Sequence, residues 1–270
     1  MNNKIYDCIT FFDESLQTDL RFNVLNNYVE QFVICESKFD HKGHYKGVRF
    51  DIENYKEFKN KITHLVIDKQ FPDTSNPWKT QAFQREFIFN GLNNARPEDY
   101  IMFSDPDEIP RPEVLADLKL IKKFGIFLQK MFCYKLNIYN PHESPWEGSR
   151  ICLKKNLKSI DFLRQKILKK NTRYPFWRID KEKSIQLIKT GGWHFTYLMK
   201  PKEIAKKIED MAHTEFNKPE FKDISFIENN IKKLNDPFNR NLKLKKVEID
   251  DSYPVYIQKN KDFFNEWILE

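Results

Sequence analysis

Tyr100-Ile101-Met102-Phe103-Ser104-Asp105-Pro106-Asp107-Glu108-Ile109-Pro110-Arg111-Pro112 is the stretch whose reading decides the fold. Tyr100 to Phe103 form an apolar, β-prone run of the length of a buried strand. Asp105, Asp107 and Glu108 follow at once, and Pro110 and Pro112 forbid any continuation of the strand. The acids therefore sit at the carboxyl end of a buried strand, where open α/β sheets take their ligands. Carboxylates this close repel one another unless a cation or several donors neutralise them. Their hard oxygens suit Mg²⁺ or Mn²⁺, ions that commonly bridge a protein carboxylate and a substrate phosphate. The alternative is a solvated acidic turn that caps the next helix.

Upstream, strands and helices alternate. Residues 6–12 read as a first strand that ends in Asp13-Glu14, and residues 19–30 as a helix with Leu20, Val24, Leu25 and Val29 at helical spacing. A second strand at 32–35 ends in Glu36. Residues 38–49 are a polar loop in which His41 and His44 are either solvated or metal-binding, and 62–67 is a third strand. Asn76-Pro77 caps a helix over 78–93, with Phe83 and Phe87 facing inward and Gln84, Arg85 and Glu86 in its middle. This order predicts a parallel, doubly wound sheet.

Downstream, Pro112 opens a helix that ends at Gly125, and residues 126–139 read as one long strand. Residues 141–148 form a loop holding His142, Glu143, Trp146 and Glu147. Short strands are expected at 150–154 and 185–189, and the basic, aromatic stretch 156–183 has no clear assignment. The pair Gly191-Gly192 lets the backbone pass close to a ligand. Helices at 201–212 and 223–234 and a strand-like run at 254–257 complete the chain.

The chain has 270 residues, 40% hydrophobic with 24 Phe and 5 Trp, enough for one domain with a regular first half (1–125) and a less regular second half (126–270) that shapes an acceptor site. No segment approaches the ~18 apolar residues of a membrane span, and residues 1–8 lack a signal peptide's apolar region, which predicts a cytoplasmic protein. Cys8, Cys35, Cys133 and Cys152 are widely spaced and read as buried thiols. The net charge of +7 comes from dispersed lysines and matches no nucleic-acid-binding motif. It admits at most peripheral contact with an anionic membrane surface.

The order of these pieces resembles glycosyltransferase family 17. The resemblance is carried by Tyr6-Asp7 through Phe11-Phe12-Asp13-Glu14, Phe32-Val33-Ile34-Cys35-Glu36, the Gln84-Arg85 helix and Ser104 to Pro112. It continues through Trp146-x-Gly148, Gly191-Gly192-Trp193-His194-Phe195 and Ala212-His213-Thr214-Glu215-Phe216-Asn217. It implies a GT-A-type, Rossmann-like α/β fold with a mostly parallel central sheet flanked by helices. It also implies inverting transfer from a UDP-sugar, with UDP-N-acetylglucosamine expected, to a glycan acceptor with Mn²⁺ or Mg²⁺.

In that scheme Asp107 holds the metal, with Asp105 on the metal or the ribose. His194 completes the metal shell or hydrogen-bonds a loop. Arg85 pairs with a phosphate or with Asp105. Asp13 and Glu36 contact the base and ribose or cap helices. The base comes from Glu143, Glu147 or Glu215, with Glu215 favoured beside His213. Trp146 and Trp193 stack on a sugar or belong to the core. The rivals are a nucleotidyltransferase with an acidic metal site and a non-catalytic glycan-binding module.

Overall fold

The computed structural model describes residues 3–210 and 214–270. The first half contributes β1 (Ile5–Phe11), α1 (Ser15–Leu25), β2 (Gln31–Ser37), β3 (Ile62–Ile67), α2 (Pro77–Phe87) and β4 (Tyr100–Ser104). Its strands lie parallel in the order β3-β2-β1-β4. All five residues of β4 are buried, which explains a continuous apolar run in place of an alternating one. Successive residues serve opposite faces of the sheet. Ile5, Ile9, Phe32, Ile34 and Met102 join one core cluster, while Tyr6, Cys8, Val33, Cys35, Ile101 and Phe103 join a second.

The second half makes the sheet mixed. It contains β5 (Glu108–Pro110), α3 (Pro112–Ala116), β6 (Phe124–Cys133), β7 (Ile138–Tyr139), β8 (Trp146–Leu153), α4 (Ile160–Lys166), β9 (Ile185–Ile188) and β10 (Gly192–Thr196). α5 (Pro201–Asp210), α6 (Ile224–Lys232), β11 (Lys245–Lys246) and α7 (Val255–Lys259) complete it. β8 runs antiparallel to both β4 and β6, so one hydrogen-bonded sheet continues across the 125/126 division. Ile204 and Ile208 of α5 pack with Ile227 of α6 in a third cluster. All four cysteines are buried free thiols. Among the described residues no helix is long and apolar enough to cross a membrane.

Several local readings change in the structure. β4 stops at Ser104, but a second short strand follows at once: Glu108–Pro110 pairs antiparallel with β10, and Pro110 stands opposite Gly192. Gly192 has φ +124°, and a Cβ there would lie 2.1 Å from the Ile109 carbonyl oxygen, so the close approach is to backbone and not to a ligand. The helix after Pro112 stops at Ala116, and Gly125 does not end it but lies inside β6, where a Cβ would meet Ile151 at 2.8 Å. Residues 126–139 are broken at Tyr134, which has φ 68°. The β-prone run near 254–257 is helical in α7. The unassigned stretch contains α4, capped by the Ser159 hydroxyl, which accepts from Phe162 N at 3.0 Å.

α2 opens as its cap predicts, with Asn76 Oδ1 accepting from Trp78 N at 2.9 Å and Pro77 in the first turn. It turns a different face inward, however. Thr80, Gln84 and Arg85 are buried, whereas Phe83 is exposed and Phe87 half-buried. Buried strand ends need polar partners. Gln84 supplies one by donating to the Cys35 carbonyl at 2.9 Å.

Candidate active site

The turn after β4 is closed by Glu108 N donating to the Asp105 carbonyl at 3.0 Å and by Asp105 N donating to the Glu108 carboxylate at 3.2 Å. A buried arginine from α1 fixes it from below. Arg21 pairs with Asp7 at 2.5 and 2.6 Å and donates to the Glu108 carbonyl at 2.6 Å and to the Ser104 hydroxyl at 2.7 Å. The turn is thereby tied to β1 through charge-assisted bonds.

The three acids of the turn have three different environments. Glu108 is fully buried and accepts from Trp146 Nε1 at 2.8 Å and from Arg164 at 2.9 Å, which makes it part of the scaffold. Asp105 is bound by Arg164, with Arg85 Nη2 at 3.8 Å. Burial pushes its carboxyl up, but Arg164 and then Arg85 outweigh that and hold it below the usual carboxylate range. Asp107 faces Lys207 Nζ at 3.4 Å and His194 Nε2 at 3.3 Å. There too burial is outweighed, first by Lys207 and then by His194, and the carboxyl lies far below its ordinary value. In return, Asp107 overcomes the effect of burial on His194 and Lys207 and raises both. The repulsion expected among these carboxylates is thus answered by four protein cations or potential cations: Arg85, Arg164, His194 and Lys207.

These groups line a cavity of about 810 Å³. Phe12, Glu14, His41, Trp78 and Gln84 form the side next to β1 and α2; Glu143, Trp146, Glu147, Arg150 and Lys170 form the other. His41 Nε2 meets Gln84 Oε1 at 3.0 Å. Burial depresses its pKa against the raising effect of Gln84, so the ring is neutral. His44 instead pairs with Asp40 at 3.1 Å, so the two histidines of that loop share no ligand point. Arg150 is buried and donates to the Ile167 carbonyl at 2.9 Å; burial and the neighbouring Arg164 lower its pKa to about 10.

Of the residues singled out in the sequence, the fold brings Asp105, Asp107, Arg85, His194 and Trp146 to this cavity. Trp146 packs against His194 with ring centroids 4.9 Å apart. Four others lie elsewhere. Asp13 is exposed and pairs with Arg49 at 2.8 Å, while its neighbour Glu14 enters the cavity wall. Glu36 is fully buried and accepts from Lys46 Nζ at 2.8 Å, Arg49 N at 2.7 Å and Phe50 N at 3.1 Å, so it anchors the 46–50 segment and does not line the cavity. Trp193 is a core residue: its ring is 1% exposed, its Nε1 donates to the Ser252 carbonyl at 3.1 Å, and Arg111 covers its face at 4.4 Å. Glu215 sits exposed in a short 3-10 turn, Thr214–Phe216, and does not line the cavity. His213 lies outside the described residues.

Sequence reasoning missed Lys207, Arg164 and Glu14. Lys207 carried a usable signal, because it shares a helix face with Ile204 and Ile208 (i, i+3, i+4), where a surface lysine is out of place. Arg164 carried none, since it lies in the unassigned stretch.

Comparison with known proteins places these features. Beta-1,4-mannosyl-glycoprotein 4-beta-N-acetylglucosaminyltransferase of Rattus norvegicus is 28% identical over 127 residues, 43% of this chain and 23% of that protein. The Homo sapiens enzyme of the same name is 30% identical over 112 residues, 38% of this chain and 21% of that protein. The chain thus spans less than a quarter of the length of the curated relatives it matches. Among solved structures, S. aureus TarS 1-349 matches with a TM-score of 0.36 and 12% identity over 85% of this chain and 72% of that one. Glucosyl-3-phosphoglycerate synthase from Mycobacterium tuberculosis, in complex with Mn²⁺, UDP and phosphoglyceric acid, matches with a TM-score of 0.37 and 11% identity over 69% of this chain and 68% of that one. The sequence profile of glycosyltransferase family 17 covers residues 1–240. The sheet, parallel through β3-β2-β1-β4 and flanked by helices, has the α/β architecture that the sequence implied, and the chain belongs to glycosyltransferase family 17.

Proposed function

We propose that this glycosyltransferase is metal-dependent and inverting, and that it moves N-acetylglucosamine from UDP-N-acetylglucosamine to a hydroxyl of a glycan acceptor. The observation that carries the proposal is the pair Asp107 Oδ1 and His194 Nε2, 3.3 Å apart in a cavity whose lining also includes Arg85, Arg164 and Lys207. Adjacent ligands of a six-coordinate Mg²⁺ or Mn²⁺ stand roughly 3 Å apart, so the pair fits a divalent ion. Among the described residues no third His, Cys, Asp or Glu converges on it. That also suits an ion completed by diphosphate and water, the usual arrangement for Mg²⁺ on phosphate substrates. His194 Nδ1 is buried without a hydrogen-bond partner, so nothing prevents the ring from presenting Nε2 to the ion. Asp105 is taken up by Arg164 and Arg85 and is the weaker candidate ligand.

When bound, the ion would act as a Lewis acid on the leaving diphosphate. The chain's own cations do related work: Lys207, and Arg164 beside Asp105, place fixed positive charge where the leaving group becomes anionic. Trp78 and Phe12 offer flat apolar surface on the side suited to the base. The acceptor oxygen forms the new bond at the anomeric carbon as the bond to the diphosphate oxygen breaks. A carboxylate takes the hydroxyl proton.

The cavity geometry favours Glu147 for that step. Its Oε2 accepts from Lys169 N at 2.9 Å and lies 3.7 Å from Arg150 Nη2, and the side chain is half-buried in the cavity wall. Glu143, by contrast, has both oxygens on Arg240, at 3.0 and 3.2 Å, and a further bond from Asn140 at 2.8 Å. The donor sugar is supported by the name shared by the relatives, and no residue contact selects it.

The test is incubation with UDP-N-acetylglucosamine and Mn²⁺ while UDP is measured. UDP release that stops on chelation supports the proposal. Pyrophosphate release would replace it with nucleotidyl transfer, and donor binding without turnover would replace it with a binding module.

A further inference from the structure

At its surface the chain exposes a group of large apolar side chains close together in sequence. Phe176 is 85% exposed, Trp177 66% and Ile179 93%, all within the stretch 173–183. That stretch is closed on itself by local bonds. Arg178 N donates to the Pro175 carbonyl at 3.1 Å, and Lys183 Nζ donates to the carbonyls of Arg178 at 2.6 Å and Phe176 at 3.3 Å. The Phe176 and Trp177 rings pack on each other, edge to face, with centroids 5.2 Å apart. The tips are therefore held outward by a structured turn.

A second loop is tied alongside. Ile121 N donates to Gln186 Oε1 at 2.9 Å, and Lys123 N donates to Ser184 Oγ at 3.0 Å. Ile121 is 83% exposed. The two stretches, 119–123 and 173–183, carry seven basic residues and two acidic ones. Of the acids, Asp180 is already paired with Arg178 at 2.7 Å and Lys181 at 3.2 Å.

We propose that these two loops form a contact surface for an anionic phospholipid bilayer. Aromatic and branched apolar tips ringed by Lys and Arg match the two features of an interfacial anchor: rings at headgroup depth and cations over anionic lipid. A protein partner would require a broad, shape-complementary face, whereas separate tips on two loops suit a fluid surface that needs no such fit. The patch is near the site. Lys170 lines the cavity, and six residues of chain reach from it to Phe176, at most about 20 Å. The proposal rests on exposure and charge alone and stands or falls separately from the sugar chemistry.

The test is co-sedimentation of the full chain with vesicles of phosphatidylcholine, and of phosphatidylcholine mixed with phosphatidylglycerol. Binding is expected to the anionic vesicles and to weaken as salt is raised. Phe176→Ser/Trp177→Ser should weaken it about tenfold or more, by removing buried apolar surface. Lys122→Gln/Lys123→Gln should also weaken it on the order of tenfold, by removing two cations near the surface. All four residues are exposed, so both variants should melt with wild type. Failure of the wild type to bind anionic vesicles overturns the proposal. So does equal binding by the aromatic variant, which would leave only diffuse charge attraction. Unchanged vesicle binding together with altered self-association in the aromatic variant would reassign the patch to protein contact.

Discussion

Asp107→Asn separates two physical pictures of the acid turn. If the carboxylates chiefly repelled one another, removing one charge would stabilise the protein without metal. The structure gives the opposite sign. Asp107 is 7% exposed and lies 3.4 Å from Lys207 Nζ and 3.3 Å from His194 Nε2, so its charge is compensated and those two groups depend on it. The amide keeps the shape but loses a charge-assisted bond and leaves Lys207 with Glu14 at 4.0 Å as its remaining acid. Losing such a bond costs about 1–3 kcal/mol. For a chain of this size that is a fall of roughly 2–10 °C in melting temperature. The assay is thermal and urea unfolding of both proteins in chelator, then again with Mn²⁺ and UDP-N-acetylglucosamine. Wild type should gain stability from the ligands by mass action and the variant should not, while transfer falls about 100-fold or more. A variant as stable as wild type in chelator, or more stable, would refute the view that protein cations neutralise this turn.

Glu36→Gln should destabilise by about 3 kcal/mol, since it breaks a fully buried pair with Lys46; urea unfolding reads this, and donor affinity should stay within about twofold of wild type. Glu147→Gln should lower the rate of transfer about 10²- to 10⁴-fold with donor affinity retained, while Glu215→Gln stays near wild type in a single-turnover assay; the reverse result would return the base to Glu215. Asp99 has its carboxyl held down at about 2, where burial is outweighed by bonds from Arg96 and from Lys4 N. Its stabilisation is therefore complete above the unfolded value near 4 and lost as pH falls through about 2. Arg96 is solvent-exposed and its charge is screened, so Asp99→Asn should cost on the order of 1 kcal/mol at neutral pH, with the difference from wild type closing near pH 2.

What could be read locally came through. Residues 62–67 form a strand with those limits, and the apolar run 100–103 lies in a strand that runs one residue further, to Ser104; β4 is buried throughout, so its apolar character is written in consecutive residues. Asn76-Pro77 starts a helix for an equally local reason, a side-chain acceptor two residues before a free N–H. The acid turn is legible because prolines and carboxylates adjoin it in sequence. Locality was also misleading: Val255 to Ile257 have β-branched and aromatic residues yet form a helix, and the spacing of Phe83 and Phe87 suggested the wrong inward face of α2.

The chemistry of the site came only with the tertiary structure. Arg164 meets Asp105 across 59 positions of sequence and Lys207 meets Asp107 across 100. Whether a carboxylate faces solvent, a metal or a guanidinium depends on which distant element closes over it, and no periodicity records that. Trp146 and Trp193 look alike in sequence, beside glycines in matching blocks. One, the first residue of β8, lines the cavity; the other is sealed by Arg111 and Ser252. Asp13 and Glu14 are adjacent, and the backbone leaving β1 sends one outward and the other into the wall. Composition and pattern determined which strand end carries the carboxylates; the packing of the second half onto the first decided which side chains line the cavity beside them, because burial and charge pairing belong to the closed surface and not to the chain.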